Sequence, residues 1–302
     1  MKILLVVDGS SYSEMATEAL KALQPPSEAE ITVMTVVPEH TFLGGVRLGA
    51  LRGSTEARKK LQEAQQQRAL ELLQRTLQVL SASKLKAESL VRWGDPAKII
   101  LNVADKNRAS LVVMGAKGLT SPLPFHLGSV AQTVMKHARA SVLLVRKKIA
   151  TINRVLLATD GSKYSDAVTR FLLDLPLPQQ SQLIVVTALQ SHLAAFMKMP
   201  TLDLETNQEL LANLQKAEES QAQRITAESE KQFQGKGYKT ISLVIQGGAA
   251  DSILKAAEDY DPEIIALGTK GLTGIESLLL GSVAERVARY AECSVLIGRA
   301  PR

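Results

Sequence analysis

Apolar residues in this chain gather in short blocks. In the first half, residues 2–7, 31–37, 87–92, 111–114 and 141–146 are rich in Val, Ile and Leu. Several of these blocks lack the every-other-residue polarity of a strand with one wet face. They predict strands buried on both faces, as in a parallel sheet. Between them, residues 11–23, about 54–80, 95–107 and 129–138 read as helices. Strict alternation of strand and helix implies a sheet covered on both sides, because right-handed crossovers place the helices there. The second half repeats the order, with its long helix between about 204 and 234.

The repetition extends to individual residues. KILLVVDGSSYS (2–13) aligns with RVLLATDGSKYS (154–165) at seven identical positions of twelve. GAKGLTSPLPFHLGS (115–129) has the glycine spacing of GTKGLTGIESLLLGS (268–282), and ASVLLVR and CSVLIGR close the halves at Arg146 and Arg299. A repeat of this length predicts two tandem domains, 1–148 and 149–302, each of ordinary size for one hydrophobic core.

Composition narrows the class. With 45% hydrophobic and 22% charged residues, the chain falls in the usual globular range. No run approaches the roughly 18 apolar residues that a membrane span needs. The opening ILLVV is too short for a signal-peptide core and meets Asp8 at once, so it reads as a strand. The one cysteine, Cys293, leaves no intramolecular disulfide and fits a reducing compartment, with a cytoplasmic location expected. Net charge is +6, divided into +9 over residues 1–150 and −3 over 151–302. Basicity of this kind suggests nucleic acid, but aromatic residues are only 4% and no nucleic-acid motif is present. Neither nucleic acid nor membrane is expected as a partner, and clusters such as Arg58, Lys59 and Lys60 read as a solvated helix face.

The chemistry points to the carboxyl ends of the strands, where open α/β sheets bind ligands. Asp8 and Asp160 follow the first strand of each half, and Gly115 and Gly268 end the fourth. A glycine admits positive φ and lets a backbone N–H approach a bulky anion. Gly115 and Gly118 are expected to form the turn after the strand, and Gly128 with Ser129 the entry to the next helix, whose N-terminus favours phosphate. Ser129 is also expected to cap that helix. Three or four charge-assisted hydrogen bonds of about 1.5–3 kcal/mol each would support micromolar binding. The bland alternative is that these glycines only make tight βα turns.

A strand ending in DGS, then G-x2-G-x9-G-[S/T]-V and a final SVLLVR-like strand, resembles the universal stress protein family over essentially the whole chain, twice. The resemblance implies two Rossmann-like domains of the adenine-nucleotide α-hydrolase-like class. Each would be an open α/β layer of five parallel strands, ordered 3-2-1-4-5, with helices on both faces. The glycine-loop branch of that family binds ATP, so ATP is the implied ligand, with or without Mg²⁺. By the same resemblance, Asp8 and Asp160 lie near ribose and phosphates, Val36 and Ala188 against adenine, and Met114 and Leu267 in the base pocket. Gly115, Gly118, Gly128 and Ser129, with Gly268, Gly271, Gly281 and Ser282, hold the phosphates, followed by Val130 and Val283. Lys117 and Lys270 are not part of the family pattern and either reach a phosphate or belong to solvated surface.

The copies differ in ways that bear on the site. Pro122 and Pro124 stiffen the first bridge where the second has Ile275 and Ser277. The first copy opens its third helix with Gly94-Asp95-Pro96, a strong start, and the second with Gly247-Gly248-Ala249, a weaker one. No motif residue is lost, so two competent sites are expected. The resulting function is an ATP-binding stress regulator, non-catalytic or weakly hydrolytic, acting on an unidentified protein partner. The rivals are a slow ATPase or adenylate-transferring enzyme, and a ligand-free adaptor. No catalytic set can be assigned from spacing, and Leu279 takes in the second bridge the place of His126 in the first. The halves are expected to pair through their last strands, 141–146 and 294–299, as an intramolecular pseudo-dimer, with or without a further homodimer.

Overall fold

The structure is a computed structural model that describes residues 1–38, 42–43, 46–47, 55–119, 127–175, 177–189, 208–271 and 280–300. The chain divides into two compact units, Met1–Thr151 and Ile152–Ala300. The first unit runs β1 (Lys2–Val6), α1 (Ser11–Ala22), β2 (Glu30–Val37), a two-residue pair β3 (Phe42–Leu43) and β4 (Val46–Arg47), α2 (Thr55–Ala82), β5 (Ala87–Trp93), α3 (Pro96–Lys106), β6 (Leu111–Gly115), α4 (Ser129–His137) and β7 (Ser141–Val145). The second runs β8 (Arg154–Ala158), α5 (Lys163–Asp174), β9 (Gln182–Leu189), α6 (Gln208–Gln234), β10 (Lys239–Gln246), α7 (Ala249–Tyr260), β11 (Ile264–Gly268), α8 (Ser282–Tyr290) and β12 (Ser294–Gly298).

Within the first unit the five main strands lie parallel in the order β5-β2-β1-β6-β7. Within the second the order is β10-β9-β8-β11-β12, also parallel. Both follow the expected 3-2-1-4-5 arrangement, in which order reverses beside the first strand. The apolar blocks account for this. Leu4, Leu5, Val112, Val113 and Leu143 are at most 1% exposed, and each such side chain contributes about 1.5–3 kcal/mol relative to exposure. The outer strands β5 and β10 are half-buried instead, a distinction that the apolar pattern alone did not draw.

The long helices show how little apolar surface a two-layer contact needs. Among the described residues, the buried positions of α2 are Ala69, Leu73, Thr76 and Leu80, and those of α6 are Ala222, Thr226, Ser229 and Phe233. Both follow i, i+4, i+7, i+11, one stripe of a 3.6-residue helix, and the other described side chains are half-buried or exposed.

Register aligns the strand ends that matter. Val6 of β1 stands opposite Met34 and Met114, and Gly115 opposite Val145. Directly after β1, Gly9 takes φ +80°, and after β8 Gly161 takes φ +73°, so the chain reverses into the next helix. The Ser10 and Ser162 side chains then cap α1 and α5 by accepting from the backbone N–H of Ser13 and Ser165.

Candidate functional site

At the carboxyl edge of each sheet, loop, strand and helix ends surround a cavity. The first measures about 540 Å³ and is lined by Asp8, Val36, Met114, Gly115, Lys117, Gly118, Gly128, Ser129 and Val130, among others. The second measures about 240 Å³ and is lined by Asp160, Ala188, Leu267, Gly268, Lys270, Gly271, Gly281, Ser282 and Val283. Every candidate binding residue named from the sequence therefore lines one of two cavities. Pockets for small ligands usually span about 300–1,000 Å³, so the first has the room and the second is tight.

Each glycine loop is tied at its neck. The Gly128 N–H donates to the Ala116 carbonyl at 2.9 Å, and the Gly281 N–H donates to the Thr269 carbonyl at 2.6 Å. The bridges between, 120–126 and 272–279, lie outside the described residues, and with them Pro122, Pro124, His126, Ile275, Ser277 and Leu279.

The reason for the glycines differs from the one expected. Neither Gly115 nor Gly118 has positive φ. What forbids a side chain is proximity. A Cβ on Gly115 would stand 2.7 Å from Tyr12 Cβ, and one on Gly268 would stand 2.9 Å from the Tyr164 carbonyl carbon. On Gly118 and Gly271 it would meet the Oδ2 of Asp8 and Asp160. The glycines let the loop lie flat against the start of the first helix and against the aspartate.

Those aspartates are oriented by the turn that follows them. Asp8 Oδ1 accepts from the Ser10 backbone N–H at 3.0 Å and from its hydroxyl at 2.6 Å. Asp160 Oδ1 accepts from the Ser162 N–H at 3.0 Å. The other oxygen, Oδ2, is thereby turned toward the glycine loop.

A second correction concerns Ser129. The N-cap of α4 is Gly128 and that of α8 is Gly281, and neither makes a side-chain cap hydrogen bond. Ser129 and Ser282 are the first helical residues, one place too late to cap. Helix N-termini leave their first N–H groups without intrahelical partners, and here those groups border the cavity in both units. The helix starts at α3 and α7 differ as expected. Asp95 accepts from the Lys98 N–H at 2.9 Å with Pro96 in the first turn, whereas Gly248 offers no side-chain cap.

Lys117 is only 7% exposed, which removes the solvated-surface alternative for it, and Lys270 is half-buried. Their ammonium groups lie 5.6 Å from the ring centroids of Tyr12 and Tyr164. Lys163 also lies over Tyr164, at 5.3 Å. Sequence reasoning missed both tyrosines, although the repeated Tyr in DGSSYS and DGSKYS was a signal. It also missed Thr35, Ile100 and Pro96 in the first cavity and Thr159 and Ile253 in the second. None of them belongs to the glycine loops 115–129 and 268–282.

Among the described residues, each cavity contains one carboxylate and no histidine, and no group of three or more His, Cys, Asp or Glu could hold a metal ion. No described helix is long and apolar enough to cross a membrane.

Comparison with known proteins gives a consistent result. A model described as the Universal stress protein family matches residues 1–146 and again 151–299. The universal stress protein Slr1230 of Synechocystis is 24% identical over 314 residues, covering 98% of this chain and 99% of its own. The universal stress protein MJ0531 of Methanocaldococcus jannaschii is 28% identical over 159 residues, 53% of this chain and 89% of its own. Among solved structures, a universal stress protein from Archaeoglobus fulgidus aligns with a TM-score of 0.67 at 20% identity, covering 99% of this chain and 98% of that one. At that identity the likeness speaks for the fold alone.

Proposed function

Because the chain belongs to the universal stress protein family, carrying two of its domains in tandem, we propose that each unit binds ATP in its carboxyl-edge cavity. Occupancy of these sites alters a surface read by a protein partner. One observation carries this reading: in both units an uncapped helix N-terminus, a close-packed glycine loop and a lysine converge on one cavity. Phosphate is the group that such donors attract, since backbone N–H groups, the helix dipole and an ammonium all favour negative charge. The apolar wall suits a base. Val36 and Met114 supply it in the first unit, Ala188 and Leu267 in the second.

The single aspartate per site fits Mg²⁺ brought in with the nucleotide, because Mg²⁺ is commonly held by one or two carboxylates plus substrate phosphates. Asp8 and Asp160 would hold it through Oδ2, and the ion would screen the phosphate charges. Among the described residues these aspartates are the carboxylates of the two cavities.

Mass spectrometry of the protein as purified tests the ligand directly. Co-purified adenine nucleotide is the expected result. Protein that carries none and takes up none when titrated with ATP would overturn the reading.

A further inference from the structure

Tyr12 and Tyr164 stand at the same place in the two units, in the first turn of α1 and of α5. Each is fixed at its root. The Tyr12 Cβ and carbonyl carbon occupy the space that Gly115 leaves open, at 2.7 and 2.9 Å from its absent Cβ, and the Tyr164 backbone does the same at Gly268. Each presents its ring face to a loop lysine, at 5.6 Å in both cases. Lys117 and Lys270 in turn line the two cavities. The arrangement therefore recurs as a set of three: a glycine that admits the tyrosine, a tyrosine under the lysine, and a lysine at the cavity.

From this geometry we propose that Tyr12 and Tyr164 are positioning residues, saddles that hold Lys117 and Lys270 where the outer phosphates of a nucleoside polyphosphate lie. The proposal rests on the nucleotide reading and adds to it the property that is selected, the number of phosphates. An ammonium on a flexible four-carbon stem loses rotamer freedom when it binds an anion. A ring face lowers that loss by holding the stem beforehand, and it attracts the cation through its quadrupole without cancelling its charge. For Lys117, only 7% exposed, the ring also offsets part of the desolvation of its ammonium. The base lies elsewhere, against Val36 and Met114 or Ala188 and Leu267, so the saddle acts on the phosphate end.

The test uses the full chain in three forms: the parent, Tyr12→Leu with Tyr164→Leu, and Tyr12→Phe with Tyr164→Phe. Each is titrated calorimetrically with ATP and with adenosine, and folding is checked by thermal unfolding. Leucine removes the ring face, and phenylalanine keeps it. The leucine pair is expected to weaken ATP about fivefold to tenfold and leave adenosine unchanged, while the phenylalanine pair keeps the parent's affinity for both. Equal loss of ATP and adenosine in the leucine pair, no loss of either, or an equal loss in the phenylalanine pair would overturn the saddle. A parent chain that binds adenosine as tightly as ATP would overturn the phosphate role of the lysines while leaving the adenine pocket standing. A parent that binds neither would overturn the nucleotide reading and the saddle with it.

Discussion

Oδ2 of Asp8 lies 2.7 Å from the point where a side chain on Gly118 would begin, and Oδ2 of Asp160 lies 2.8 Å from the corresponding point on Gly271. Aspartate and glycine come from motifs more than a hundred residues apart, and the loop reaches its position only because one of them has no Cβ. Gly118→Val and Gly271→Val should therefore each displace the aspartate and abolish ATP binding at one site. The overpacking is local and its expected cost is about 1–3 kcal/mol, so the ligand-free protein should still unfold cooperatively at a modestly lower temperature. Normal ATP stoichiometry in both variants, measured by calorimetry, would refute the phosphate-loop assignment.

Two ATP molecules should bind per chain, with the first site the tighter. Sequence differences between the copies left both sites competent, but the smaller cavity belongs to the second unit, about 240 against 540 Å³. Titration in the Gly118→Val and Gly271→Val backgrounds isolates each site, and a tighter second site would contradict the volumes.

Asp95→Ala should lower stability by about 1 kcal/mol, because it removes the side-chain cap on α3. Gly94→Ala and Gly247→Ala should each lower it by at least as much, since these residues hold φ near +135° and +139°, where other residues are strained. Urea denaturation of the ligand-free protein reads all three.

Acid should weaken the second unit partly through Glu230. Its Oε2 accepts from the Ser242 hydroxyl at 2.6 Å and its Oε1 from the Thr240 hydroxyl at 2.7 Å. These bonds favour the carboxylate and hold its pKa below the usual value of 4.5. A pKa depressed in the folded state adds stability above the unfolded pKa and loses it as pH falls through the folded one. Glu230→Gln should therefore flatten the pH dependence of stability below about pH 5, and an unchanged acid limb in denaturation curves would contradict this.

Much of this was legible in the sequence because the signals were strong and repeated. The apolar blocks of β1, β6 and β7 carry no alternation and lie within a residue of the observed strands, since nothing else can fill the middle of a covered sheet. The loop glycines that line the two cavities were marked by a spacing that occurs twice. What stayed hidden depended on approach in space. That Gly115 yields to Tyr12, rather than turning through positive φ, is a fact about two segments far apart in sequence. Ser129 was misplaced by one residue at a helix start, and the burial of Lys117 leaves no mark on local composition.

The neck bonds from Gly128 to Ala116 and from Gly281 to Thr269 separate what the bridge is from what the site does. With both ends of the bridge anchored, the residues between can change in character while the residues at the neck keep their places, and the two copies carry unlike bridge sequences of one shared length. The bridge is thus the natural place for the two copies to diverge in sequence.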